Sequence, residues 1–258
     1  MSIAPLLMAA FYAGGVVPPP LIRSVTPQAI EVGAFYEGAD VRVEGVAASG
    51  SKVIVTVTGS GSEKIFNQKA RFGPIWLNSG KVRISGAPSL FLLFSAEPVR
   101  TMLKEDCASG IELTEAAVRE QIHFEPPVKD PRVRTVLKSD FIALKKDEGT
   151  YDFAGSGITM GETSEPGTPY TLPFHWPKKA PPGEYRIHAY EVRDGAVARE
   201  AVATISVQPT GFPAWLGALA ASRASLYGIT AILIGALTGF GIDFLTTRLF
   251  GKKRPVGH

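Results

Sequence analysis

Residues 224–247 read ASLYGITAILIGALTGFGIDFLTT, and Asp243 is the only formally charged residue among them. Between Leu226 and Ile242 the run is apolar, Gly or Thr apart from the Tyr227 hydroxyl at its edge. At about 1.5 Å per residue such a helix is roughly 36 Å long, enough for a hydrocarbon core of about 30 Å with some tilt. The stretch therefore predicts one membrane-spanning helix, over 224–250. Everything upstream belongs to a separate, water-exposed body.

The flanks give the helix a direction. Arg248, Lys252, Lys253 and Arg254 crowd its C-terminal side, whereas Arg223 stands alone at the other end. Excess Lys and Arg stay in the cytoplasm, so residues 251–258 are expected to form a basic cytoplasmic tail and the body to lie outside. For a bacterial chain that means a periplasmic N-terminal domain on the inner membrane. Tyr227 and Trp215 suit the outer aromatic belt. Within the span Ala231, Gly235, Gly239 and Asp243 recur every fourth residue. Each step advances a helix by about 400°, so the three small residues share one face with only about 40° of drift per step. Small residues let a second helix approach closely. The expected partners are the bilayer and, through this face, another membrane protein or a second copy. Asp243 lies near enough to the cytoplasmic end to reach headgroup water; facing a partner is its other reading.

Met1 to Gly14 carry Ile3, Leu6, Leu7, Met8, Phe11 and Tyr12 but no early Lys or Arg. A secretory signal has a basic start and a longer apolar core. Residues 1–20, ending in the Pro18-Pro19-Pro20 spacer, are read as an abbreviated signal-like segment whose start codon is in question.

The body reads as mainly β. Its chain of 258 residues contains 27 Gly and 20 Pro, which favours short strands and turns. Strands are predicted at Ala29–Val32, Asp40–Val46, Lys52–Thr58, Lys64–Arg71, Lys81–Ile84 and Leu90–Ser95, with Val53, Val55 and Val57 alternating against Ile54, Thr56 and Thr58. After Pro98 the texture turns helical. Thr114 is placed to cap a short helix with Glu115 in its first turn, and Arg132–Lys146 carries Val133, Val136, Leu137, Phe141 and Leu144 on one face. Strands return at Gly157–Gly161, Thr168–Phe174, Gly183–Arg193 and Ala196–Val207, the last two joined by the hairpin dipeptide Asp194-Gly195.

Such short strands with regular turn signals predict an immunoglobulin-like β-sandwich. Two assemblies fit: two lobes, 21–97 and 151–210, joined by a helical segment 98–150, or one sandwich with the helices inserted. The two-lobe arrangement is slightly favoured. Residues 211–223 are read as a juxtamembrane linker.

Little chemistry is legible. Cys107 is the single cysteine and the four histidines share no ligand spacing, so neither a disulfide nor a metal site is expected. A net charge of +3 without a basic stripe argues against nucleic acid. No nucleophile elbow, Walker loop or dinucleotide fingerprint occurs, and Gly59-Ser60-Gly61 and Gly155-Ser156-Gly157 read as turns. Glu162 and Glu165 near Asp152 read as a solvated loop. Catalytic residues and cofactors are therefore expected to be none. Trp76 and Trp176 have two readings, core tryptophans or exposed contacts for a partner.

Four stretches in order resemble an uncharacterised family of alphaproteobacterial transmembrane proteins: Gly73-Pro74-Ile75-Trp76-Leu77-Asn78, Asp140–Lys146 with Gly149-Thr150-Tyr151, Pro181–Arg186 with Arg193-Asp194-Gly195, and Leu226-Tyr227-Gly228. The likeness runs from about Ile30 to Arg248. It implies an exported domain tethered by a C-terminal helix and brings no catalytic residues; Asp243 departs from its usual aliphatic anchor. The expected function is a non-catalytic envelope module that scaffolds another membrane protein. A ligand-binding accessory subunit of a transporter is the alternative, and a hydrolase comes third.

Overall fold

A computed structural model describes residues 19–249 apart from 62, 73–74 and 105–112; for 68–79 and 249 it describes the backbone only. Residues 1–18 of the signal-like segment, Cys107 and the basic cluster Lys252, Lys253 and Arg254 lie outside the described residues. The chain divides into two compact units, Met1–Ile30 with Glu37–Val207 and Glu31–Tyr36 with Gln208–His258.

In chain order the strands are β1 (Ser24–Thr26), β2 (Ala29–Val32), β3 (Ala39–Ala47), β4 (Lys52–Gly59), β5 (Lys64–Phe72), β6 (Ile75–Ser85), β7 (Phe91–Ser95), β8 (His123–Glu125), β9 (Tyr151–Gly155), β10 (Thr159–Met160), β11 (Thr168–Trp176), β12 (Gly183–Arg193) and β13 (Ala196–Pro209). The helices are α1 (Val99–Met102), α2 (Glu115–Glu120), α3 (Pro131–Asp147), α4 (Gly211–Ser222) and α5 (Ala224–Leu249). Three sheets result, ordered β1-β3-β11-β10, β2-β13-β12-β4-β7-β9 and β5-β6-β8.

The strand pairing corrects the two-lobe expectation. β3 pairs antiparallel with β11, from Ala39↔Trp176 to Ala47↔Thr168, and β4 pairs with β12, from Lys52↔Val192 to Gly59↔Tyr185. Residues assigned to lobes 21–97 and 151–210 are thus laced together in both large sheets. The inserted material is everything between β4 and β10.

Burial explains why β4 and β12 sit centrally. Val53, Val55 and Val57 face the first sheet, and in register beside them stand Leu92 and Phe94 of β7 and Ile187 and Ala189 of β12. Phe94 meets Phe174 at 5.0 Å between centroids, and Trp176 stands edge-on to Tyr185 at 4.8 Å, so the two sheets pack face to face through aromatic contacts. The other face of β4, with Ile54, Phe91, Leu93 and Tyr190, forms one core with Leu113, Val118, Ile122, Phe124, Phe141 and Tyr151. The inserted helices are therefore the cover for a sheet that is apolar on both sides.

Two local signals act as read. Asp194 and Gly195 have φ of 54° and 80°, the pair of positive values a type I′ hairpin requires. The Thr114 hydroxyl accepts from Ala117 N at 3.2 Å and caps α2. Other expectations need revising. The strand expected at Gly157–Gly161 shrinks to β10, the Lys81–Ile84 piece belongs to the longer β6, and the presumed linker 211–223 is mostly helix.

Several buried polar groups find partners in other strands or segments. Glu191 accepts Arg199 Nε at 3.0 Å and Nη2 at 2.7 Å, and Ser51 Oγ at 2.9 Å. Arg199 also donates to the Pro19 carbonyl at 2.7 Å, which ties the N-terminal segment to β13. Tyr170 donates to the Leu21 carbonyl at 2.6 Å, and Gly45 has no Cβ to stand between them. Tyr185 Oη donates to the Pro181 carbonyl. Lys145, 2% exposed, donates to the Ser89 carbonyl at 2.8 Å and lies 5.1 Å from the Tyr151 ring centre.

Candidate functional site

Helix α3 starts after Asp130, whose carboxylate accepts Arg132 N at 2.8 Å, with Pro131 at its first position. Its sequence places Val133, Val136, Leu137, Phe141 and Leu144 on one face. Of these Phe141 is buried and Leu137 partly so, while Val133, Val136 and Leu144 are exposed. The β5–β6 hairpin approaches this half-covered stripe. Phe66 meets Phe141 edge-on at 6.3 Å, and Phe66, Val82, Ile84, Phe124, Leu137 and Leu144 line an apolar groove of about 260 Å³. Its chemistry suits an apolar side chain or two from a partner.

A second cleft opens over the insertion side of the large sheet, with a volume of about 620 Å³. Thr56, Thr58, Arg186, His188 and Tyr190 form its sheet wall, and Leu113, Val118 and Gln121 stand opposite. His188 Nδ1 lies 2.7 Å from the Glu200 carboxylate, and its ring stacks on Tyr190 at 6.0 Å. Strand alternation alone makes His188 a half-exposed residue. Alternation within β12 puts Arg186, His188 and Tyr190 on one face, but only the helical insertion turns that face into a cleft wall.

The other residues picked from sequence disperse. Trp176 is 0% exposed, enclosed by Phe174 and Tyr185, so its partner-contact reading is corrected to core. Trp76 sits on β6, where the side chain is outside the described residues. Asp152 accepts Ala154 N at 2.9 Å and is exposed, as are Glu162 and Glu165; none lines either cleft. His175 is exposed, and the hydrogen bond its ring Nδ1 makes to the Asp40 carboxylate at 3.0 Å raises its pKa. Among the described residues no three His, Cys, Asp or Glu side chains gather as a metal site would need.

In the C-terminal unit, Ala231, Gly235, Gly239 and Asp243 are all exposed on α5, and the Arg248 guanidinium lies over the Phe244 ring at 5.9 Å. Among the described residues this is the one helix long and apolar enough to cross a membrane, over Ala224–Arg248, and none of its apolar window is buried. Residues 20–248 match the model of the family described as "Putative transmembrane protein (Alph_Pro_TM)". The chain belongs to that family. No curated protein and no solved structure matches it. As a member of Alph_Pro_TM with this unburied apolar helix, the protein is membrane-associated, with its single candidate span at the C-terminus.

Proposed function

We propose that the chain is a non-catalytic, membrane-anchored envelope module whose mainly β body docks on another membrane protein. The observation that carries this reading is the apolar groove between the β5–β6 hairpin and α3, continued by exposed Val133, Val136 and Leu144. An apolar surface of this kind on a water-exposed domain marks a contact site. The face Ala231, Gly235 and Gly239 supplies a second contact within the bilayer, to that partner or to a second copy. The excess of basic residues after α5 supports a periplasmic body on the inner membrane and a cytoplasmic C-terminus.

The body is, on this proposal, an immunoglobulin-like sandwich with a large insertion. In constant-type domains strands A, B, E and D form one sheet and C, F and G the other. Here β1-β3-β11-β10 follows the first order, and β13-β12-β4 follows the second. The Tyr185 hydroxyl, reaching back to Pro181 at the start of β12, corresponds to the tyrosine corner.

The test is a photo-crosslinking residue at Leu144 in the full chain in native membranes, with Glu162 as control. An adduct to one membrane protein from Leu144 alone, lost in Phe66→Asp, supports the reading. No adduct from Leu144, Val136 or Val133 would end it.

The polar cleft favours a second reading, an accessory subunit that binds a small ligand. Convergent Arg186, His188 and Tyr190 side chains in about 620 Å³ suit a polar molecule. A ligand that raises the melting temperature of the wild type but not of Arg186→Ala would move the function to this cleft.

A further inference from the structure

Helix α4 has no place in a soluble core and is too short to span. No residue from Ala201 to Ser222 carries a formal charge, and no residue of α4 is buried. Its 12 residues make a rod of about 18 Å, against a hydrocarbon core of about 30 Å. Apolar helices of this length are core elements, signal cores or interfacial segments. Exposure removes the first and position in the chain the second. Phe212, Trp215, Leu216 and Leu219 follow the i, i+3, i+4, i+7 spacing of one face, with Phe212 and Trp215 tilted together at 5.7 Å between centroids. Small residues, Ala214, Gly217, Ala218 and Ala221, occupy the other side.

One residue joins α4 to the membrane-spanning α5. That residue, Arg223, has φ −145° and ψ 72°, a break that ends the first helix before the second begins. On the orientation proposed above, the C-terminal end of α4 is thereby held at the outer boundary of the bilayer. A second segment belongs to the same compact unit: Glu31–Tyr36. The Val32 carbonyl accepts Thr210 N, at the N-cap of α4, at 3.0 Å. Three residues on, within roughly 10 Å of extended chain, Phe35 is 96% exposed. The loop Gly33-Ala34-Phe35-Tyr36 is uncharged and is bounded by Glu31 and Glu37.

We infer that α4 and the Phe35 loop are seated together in the outer leaflet, forming a lipid-binding foot beside the spanning helix. Phe212, Trp215, Leu216 and Leu219 enter the acyl boundary, Arg223 meets the phosphates, and Phe35 dips in from the loop. Lipid is the occupant because this face is continuous, through one residue, with a helix already solvated by it. Glu31 and Glu37 stay in water and limit the depth of the loop.

The full chain carrying Cys107→Ser is reconstituted into vesicles of phosphatidylcholine and phosphatidylglycerol. An environment-sensitive fluorophore is attached at single cysteines replacing Ala34, Leu219, Ala214 or, as a control on the body, Glu162. These positions leave Phe35, Phe212 and Trp215 in place. Lipids carrying a nitroxide high on the acyl chain are expected to quench the Ala34 and Leu219 labels by about twofold or more, Ala214 less, and Glu162 hardly at all. Labels at Ala34 and Leu219 that respond like Glu162 overturn the inference. So does a blue-shifted label that escapes lipid quenching and reverts on dilution of the protein in the bilayer, since another chain would then cover the face.

Discussion

Replacing Lys145 by Met should remove a rise in stability that is expected of the wild type between pH 8 and pH 9.5. Lys145 is 2% exposed and has the Ser89 carbonyl and the Tyr151 ring as neighbours, with no carboxylate bonded to it. Desolvation pushes its pKa down to about 8, the Lys64 charge adds to this, and Glu148 opposes it. In the unfolded chain the amine titrates near 10.4. Between these values the unfolded state holds a proton that the folded state has released, so stability rises with pH across the window. From pH 8 to 9.5 the gain is about 1.5 kcal/mol, since the folded amine is only half deprotonated at pH 8 and a full unit is worth 1.36 kcal/mol. Below about pH 7 both states are protonated and the contribution is flat. Burial also raises the Tyr151 and Tyr170 hydroxyl pKa values, but those groups act in the opposite direction and only above about pH 10. Urea denaturation of wild type and Lys145→Met in the same detergent, followed by near-ultraviolet circular dichroism, reads the difference. Equal slopes for the two proteins across pH 8 to 9.5 would refute the claim that the folded state buries this amine.

Other perturbations act on the body. Trp176→Ala should cost about 3–5 kcal/mol in thermal or chemical melts. Trp176→Phe should cost clearly less, because the indole Nε1 is buried without a partner among the described residues and Phe has no such group to bury. Arg199→Met leaves the buried Glu191 carboxylate without its bidentate partner and should cost about 3–5 kcal/mol, whereas Arg199→Met/Glu191→Met should recover much of that loss. Thr114→Ala removes the α2 cap and should lower stability by about 1 kcal/mol, with Thr114→Ser close to wild type.

Local signals carried the sequence reading as far as local physics reaches. Gly183–Arg193 shows its strand by alternation and its turn by Asp194-Gly195, and the boundaries of β12 agree with the structure. Pairing over long separations leaves no such trace. Alternation in Val41 and Val43 says that a strand is half-buried, not that its neighbour is Leu172 or Phe174, so the lobes could not be told from one interleaved body. β9 was missed for a related reason: Tyr151–Gly155 is short, follows directly on α3 and pairs in parallel with β7, which no hairpin signal announces. The apolar groove was half legible. The α3 stripe was visible, but Phe66 and Val82 come from a hairpin whose approach to it depends on the tertiary fold. In the sequence α4 reads as a linker because it lacks the charged face that usually betrays a surface helix.

The lacing of β3 to β11 and of β4 to β12 bears on how the polypeptide acquires its shape. Early strands of the chain wait for mates more than a hundred residues downstream, so the first sheet stays incomplete until β11, and the second until β13, has been synthesised. Closing loops of that size slows folding. The anchor follows β13 almost at once in the chain, so the last strands and the membrane segment leave the ribosome nearly together. Membrane insertion and completion of the core are therefore close in time, and a body severed from its anchor loses that timing even if it keeps every contact.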